Sequence, residues 1–520
     1  MAHIFHFLEP RGDTVAAVYL AFSAAFFYFN RKQNMLSTVL CWIAYSLVPP
    51  IAVVLYRLSP FHPLAGFPGP LLSRMTNLRL AYVVSTGKRH LDIAKLHDKY
   101  GVIVRTGPNT LSINSQDAVK SIYAGSKAMD KSNAYRPGRL FEGGLFFIRR
   151  KNLHDNQRRI WAPAFSQSSL HLASNTILRR SQQLTTHLEK LEDGATDMGS
   201  MIRRWSYDVM GDLTFGKSSR IELMSDGDPH GVLASGEKAT VLFEILGEIP
   251  LIFDLMCYLP RACMQEIHVL RQLASELLAA RQVATHIADD DICSHLLCHT
   301  ANCSVQDLEH DVLFAIQAGS DTTSGVVILL LYHLLANREV YQTLTAELRD
   351  NLGSTLEEHK LSALFQLPYL SAVVQEGLRL GTPFPGLPRV VPDTGKIICS
   401  KFIPGGTIVG VPAYAQQISP QNFWPNPLEF NPQRWLPGGL GLDSVLNKSA
   451  VMCFSSGPFG CLGKNLAIRE LYIVIAQLLL TLDIQLDTSF DHKQFKEGIQ
   501  NMRSTCFQYP LLVVVQPNHL

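Results

Sequence analysis

The chain opens with two uncharged blocks. Thr14 to Phe29 carries no charge, and after Arg31 and Lys32 a second uncharged run extends from Gln33 to Tyr56. The second run is long enough to cross a hydrocarbon core of about 30 Å. The first is 16 residues long and ends in Phe and Tyr, which suit a membrane interface. It has no basic n-region, and no small-residue cleavage site stands out before the second run, so the pattern predicts a retained anchor of one or two spans over residues 1–60. If both runs span, Arg31 and Lys32 lie opposite the rest of the chain, against the positive-inside tendency.

Four prolines and two glycines between Ser59 and Pro70 end the anchor in a stiff, extended connector. Leu91 to Tyr100 reads as an amphipathic helix. Val102–Arg105, a Gly107-Pro108-Asn109 turn and Leu111–Ile113 read as a β-hairpin. From about 150 to 385 the periodicity is mostly helical, short β signals return from Arg389 to Val411, and a long apolar helix starts at Lys464. A mainly α fold with a small, discontinuous β portion is expected, with no internal repeat.

Composition narrows the function. Of 520 residues 47% are hydrophobic and 17% charged, with a net charge of +2. A nucleic-acid binder would carry a strongly basic face, so no nucleic-acid partner is expected. Apolar ligands and membrane lipid fit better. The ten cysteines are irregularly placed, unlike a disulfide framework.

One cysteine stands apart. Phe454-Ser455-Ser456-Gly457-Pro458-Phe459-Gly460-Cys461-Leu462-Gly463 runs directly into the apolar helix. Glycines around Cys461 let the backbone fold closely about the sulfur. A cysteine beside a helix N-terminus is expected to have a lowered pKa and to act as thiolate, the metal-ligating form. Phe454, Gly457, Cys461 and Gly463 match the haem-binding signature of the cytochrome P450 superfamily, which this chain resembles from residue 60 or so to its C-terminus. The resemblance implies one catalytic domain over 61–520 and a haem b whose iron is ligated by Cys461. Such a thiolate pushes electron density onto iron and favours O–O cleavage. The arginine of the signature is replaced by Phe459, so its usual contact with a haem propionate must be supplied elsewhere or go missing.

A second cluster, Ala318-Gly319-Ser320-Asp321-Thr322-Thr323, interrupts the apolar stripe of a helix expected from near Ser304, with Asp307 as a capping-box-like partner, to Asn337. About 30 residues span roughly 45 Å, enough to cross a domain. A hydroxyl bonding back to a carbonyl can open the helix ladder here. By resemblance this is the dioxygen site, with Asp321 and Thr322 as a proton-relaying acid–alcohol pair.

Glu376 and Arg379 share a face of the helix Tyr369–Leu380. Resemblance joins them to Arg434, in Pro432-Gln433-Arg434-Trp435, as a structural network. His154 and Arg158, four residues apart, can reach one propionate from one helix turn. Arg389 resembles the strand arginine that takes a propionate, and with Phe459 uncharged Arg158 and Arg389 should carry more of that load. The motif details Asp208–Gly216 and Gly463–Ala467 look most like membrane-bound fungal P450s of secondary metabolism.

The resemblance therefore implies a monooxygenase, RH + O₂ + two electrons + two protons giving ROH and water. Its substrate would be an apolar terpenoid or polyketide-type intermediate. Electrons would come from an NADPH-cytochrome P450 reductase docking on Arg149, Arg150, Lys151, Arg159 and Lys464, with the catalytic domain cytosolic at the endoplasmic reticulum membrane. A P450 that isomerises or dehydrates without external electrons, or a haem sensor, is the alternative, and Asp321-Thr322 counts against the isomerase. Cys293, His295, Cys298, His299 and Cys303 cluster locally but lack a recognised zinc spacing.

Overall fold

The computed structural model describes residues 10–125, 128–136, 144–191, 194–256, 258, 265–284, 291–297, 305–384 and 386–518. Cys298, His299, Cys303 and Ser304 lie outside them. The two uncharged runs form α1 (Gly12–Phe29) and α2 (Met35–Leu58). Their 18 and 24 residues reach about 27 and 36 Å. The pair is stitched by a Tyr19–Ser46 hydroxyl contact at 2.6 Å and by the Trp42 indole donating to Ser23 at 3.2 Å. Leu20, Phe29, Leu36 and Val48 stay exposed, an apolar surface that lipid satisfies and water does not. Both helices are long and apolar enough to cross a membrane, and together they have the make-up of a membrane anchor.

The connector is clamped from within the sheet that follows. The buried Arg105 guanidinium donates to the carbonyls of Pro108 at 2.7 Å, Arg57 at 3.3 Å and Leu64 at 3.5 Å. Carbonyl acceptors on three segments thus replace the water that a buried guanidinium loses. β1 (Ile103–Gly107) and β2 (Thr110–Ile113) form the expected hairpin, Ile103 opposite Ile113. β3 (Arg389–Val390) and β4 (Ile408–Gly410) complete a four-stranded sheet of order β1-β2-β4-β3, with β4 parallel to β2 and antiparallel to β3. Leu111, Ile122, Val391 and Val409 bury its inner face.

The larger core is helical. α3 (Lys151–Trp161), α4 (Gln167–Glu189), α5 (Met198–Phe215), α6 (Val232–Gly247), α7 (Pro250–Met256) and α8 (Gln265–Val283) lead to the long α9 (Val305–Ala336). α9 runs within a residue of its expected bounds, and its 32 residues reach about 48 Å. α10 (Pro368–Leu380) and α11 (Lys464–Thr481) pack against it. Ile473, Val474, Ile475, Leu478 and Leu479 of α11 are all fully buried, as a helix apolar on every face requires. Each such side chain contributes about 1.5–3 kcal/mol.

α1 is tied to this body. The Gly12 N–H donates to Asp254 on α7 at 2.8 Å, and Arg136 pairs with the same carboxylate. A Cβ at position 12 would stand 1.8 Å from the Leu251 carbonyl oxygen, so only glycine fits.

The Glu376–Arg379 pair forms as expected. Two Arg379 nitrogens reach the Glu376 oxygens at 2.7 Å each, the Trp435 indole donates at 2.9 Å, the Asn431 N–H at 3.0 Å and Arg434 at 3.3 Å. Burial pushes the Glu376 carboxyl up, but the Arg379 fork and these donors outweigh it and hold the carboxyl below its ordinary value. Arg379 spends its remaining donors on the carbonyls of Gln417, Pro427 and Glu429. The network pins α10 to the irregular segment that leads to Cys461.

Candidate active site

A cavity of about 320 Å³ lies between the middle of α9 and the N-terminal end of α11, and Cys461, Ala318 and Thr322 all line it. The cysteine turn is held by its own backbone. The Cys461 N–H donates to the Phe454 carbonyl at 2.9 Å and the Gly460 N–H to the Gly457 carbonyl at 2.9 Å. Gly457 has φ +70° and a Cβ there would lie 1.9 Å from the Tyr123 carbonyl oxygen, so glycine is obligatory. Gly463 differs. Its φ is −79° and a Cβ would meet the Phe165 ring at an ordinary 3.7 Å.

Arg158 on α3 donates to the Gly460 carbonyl at 2.7 Å, fixing the turn from the side. Burial pushes the Cys461 thiol up, and the Gly463 N–H, Arg158 and Lys464 pull it down without overcoming that. The lowered thiol pKa expected from the helix terminus is thus overridden by desolvation. A metal cation bound at the sulfur would supply the charge that favours the thiolate.

One wall of the cavity is cationic. Lys131, His154, Arg158 and Phe459 line it. The ring of Phe459 packs on His154 with centroids 4.6 Å apart, and carries Lys131 Nζ and Arg389 Cζ each 5.0 Å from its centroid. Arg389 is buried one layer behind that lining, with Tyr135 as its side-chain acceptor at 3.3 Å and its Nε unpartnered. Burial, then Lys131 and Arg158, lower the His154 pKa to about 3, so the ring is neutral. Among the described residues neither Lys131 nor Arg389 pairs with a carboxylate. Buried cations without counter-ions call for an anionic ligand. A sulfur donor facing a cavity, an edge of unpaired cations and apolar walls elsewhere suit an iron porphyrin with carboxylate side chains, so these residues fit a haem.

Across the cavity α9 stays helical through the polar cluster. The Thr322 hydroxyl donates to the Ala318 carbonyl at 2.7 Å, yet the ladder is unbroken from Val305 to Ala336. The local opening that such a bond can cause does not occur here. Asp321 turns to α5, where the Tyr207 hydroxyl donates to its Oδ1 at 2.9 Å. Burial pushes the Asp321 carboxyl up to about 6, with the Tyr207 hydrogen bond working against that rise. One residue on, the Thr323 hydroxyl donates to Glu470 of α11 at 3.1 Å, and burial raises that carboxyl to about 8.

The remaining wall is apolar and aromatic. Phe146 and Phe314 stack with centroids 4.6 Å apart, and Phe147 and Phe243 lie beside them. Asp311 holds the loop carrying Phe146 and Phe147, accepting from the Leu145 N–H at 2.8 Å, Gln157 at 2.8 Å and Trp161 at 3.2 Å. Sequence reasoning missed Lys131, Tyr207, Glu470 and these phenylalanines. Glu470 left a signal, as a lone acid entering the apolar run of α11. Lys131 and Tyr207 left none, because tertiary packing alone makes their contacts.

The cytochrome P450 family profile matches residues 67–505. The chain is 30% identical over 462 residues to the cytochrome P450 monooxygenase astJ of Aspergillus oryzae, covering 86% of this chain and 92% of that protein. It is 30% identical to the monooxygenase notG' of Aspergillus versicolor (86% and 82% covered) and 29% identical to aba2 of Botryotinia fuckeliana (85% and 86%). With Cys461 set in a glycine turn at a cavity suited to haem, the chain belongs to the cytochrome P450 family, as a haem monooxygenase that needs a redox partner and binds small molecules.

Proposed function

We propose that this chain is a membrane-anchored monooxygenase of fungal secondary metabolism that inserts one oxygen atom of O₂ into an apolar terpenoid or polyketide-type intermediate. Residues 1–60 serve as its anchor in the endoplasmic reticulum membrane, and 61–520 as a cytosolic catalytic domain. The observation that carries the reading is Cys461 sharing one cavity with Thr322 of α9. The cofactor is haem b, held at its iron by Cys461 with Phe454, Gly457 and Gly463 shaping the turn. Arg158 and His154 hold its carboxylates from α3, and Arg389 adds positive charge behind them. When bound, the haem supplies the one-electron chemistry that activates dioxygen.

The chain's own groups do the rest. The phenylalanine wall takes the apolar substrate and excludes water from the reacting face. The Thr322 hydroxyl sits on the cavity wall, where it can turn from the Ala318 carbonyl to hold a proton near the reacting oxygen. Asp321, with its carboxyl near 6, takes up and releases a proton close to neutral pH. Glu376, Arg379 and Arg434 keep the supporting segment rigid and take no part in the chemistry. Electrons reach the site from a separate NADPH-dependent flavoprotein reductase docked on the basic residues around α3.

The test is the full-length chain expressed with a reductase. Its reduced, carbon-monoxide-treated form should show the shifted Soret band of thiolate-ligated haem, and Cys461→Ser should abolish it. Feeding apolar precursors should give products heavier by one oxygen. A band equally strong in the serine variant would end this reading.

A further inference from the structure

Phe459 stands where the family pattern has arginine, yet the wall around it is not short of positive charge. Lys131 is 5% exposed and lines the cavity. Among the described residues its Nζ has one acceptor, the Phe146 carbonyl at 2.7 Å, and it lies over the rings of Tyr135, Phe146 and Phe459 at 5.1, 5.3 and 5.0 Å. An ammonium has three donors, so its remaining ones are unspent. The backbone fixes its place, because Lys131 bridges Arg389 of β3 and its N–H donates to the Arg149 carbonyl. Arg389 reaches the same Phe459 ring but lies behind the lining.

We propose that Lys131 is the cation that binds the haem carboxylate on the side where Phe459 has replaced the arginine, with Arg389 supporting it from behind the ring. The proposal rests on the reading that Cys461 ligates haem. Two cations over one ring repel each other, and ring faces offset only part of that. Burial, then Arg389, Arg158 and Arg503, press the Lys131 pKa well down in the protein alone. An arriving carboxylate reverses that penalty, whereas a lysine kept only for packing would gain nothing from it. A lysine is a compact charge on a flexible stem that can pass the phenyl edge.

The experiment measures haem transfer from substrate-free holoprotein to excess apomyoglobin, together with urea unfolding of the cofactor-free chain. Lys131→Met should release haem about tenfold faster, the loss of one buried charge-assisted hydrogen bond. Lys131→Arg should stay near the wild-type rate. Adding Phe459→Arg to Lys131→Met should restore most of the retention, since it returns the cation from the other side. Cofactor-free Lys131→Met should be as stable as the wild type or more so. Wild-type haem retention in Lys131→Met, no rescue by Phe459→Arg, or equal destabilisation of cofactor-free and loaded protein would each overturn the proposal. If Lys131→Met alone does not accumulate, the double variant decides, since it must then fold and carry haem. Absence of the thiolate–CO band in the wild type would instead strike the Cys461 reading. A lysine serving a substrate carboxylate would leave substrate-free haem transfer unchanged.

Discussion

Asp321 and Thr322 are neighbours in sequence but take different partners, Tyr207 on α5 and the Ala318 carbonyl on their own helix. That separation makes the acid testable alone. Turnover that needs ionised Asp321 must rise as pH climbs through its value of about 6. The Tyr207 hydrogen bond favours the ionised form, so Tyr207→Phe moves the acid limb of the kcat profile to higher pH, by about half a unit to one unit. An unmoved limb would assign the titration to another group. At this scale the sequence revealed residues whose role lies in spacing. Cys461 is identifiable from the pattern of Phe454, Gly457 and Gly463 around it, and Glu376 from Arg379 three residues on. Tyr207 and Lys131 were invisible because their meaning comes from what the fold brings beside them.

The elements were easier to read than their contacts. The start of α11 at Lys464 and the β1–β2 hairpin follow from apolar periodicity and turn residues, and α9 ends within a residue of its expected bound. The parallel pairing of β2 with β4, residues 110–112 against 408–410, has no local signal. Nor does the tie between α9 and α11 through Thr323 and Glu470. That tie has a thermodynamic signature. Folding raises the Glu470 carboxyl from 4.5 to about 8, so the folded chain holds this proton more tightly than the unfolded one. Its contribution to stability is full below about 4.5 and is lost as pH rises through about 8. Glu470→Gln removes the titration and keeps an acceptor for Thr323. Urea unfolding should find the two chains alike at pH 5, and the glutamine variant more stable at pH 9 by an amount on the order of 1–3 kcal/mol. A pH-independent difference would mean that Glu470 titrates normally.

For the molecule as a whole, the arrangement of charge matters more than its amount. A net charge of +2 over 520 residues gives no global field, so steering of a partner must come from a local patch. α3 can present one beside the site. Its Arg158 grips the Gly460 carbonyl next to Cys461, while Arg150 at its N-cap and Arg159 near its end are exposed, as is Lys464 at the start of α11. Under the proposed function, a reductase drawn by these charges would approach the side of the cavity that holds Cys461. Reversing Arg150 and Arg159 together to glutamate should lower kcat/KM for the reductase about tenfold at low salt. The deficit should shrink as ionic strength rises, because at 0.1 M salt such charges are screened beyond about 10 Å. Haem content and the carbon-monoxide spectrum should stay as in the wild type, since neither side chain lies on the cationic wall or acts on the Cys461 thiol. A salt-independent loss would point to damaged packing around α3, and an unchanged kcat/KM would move the docking face elsewhere on the molecule.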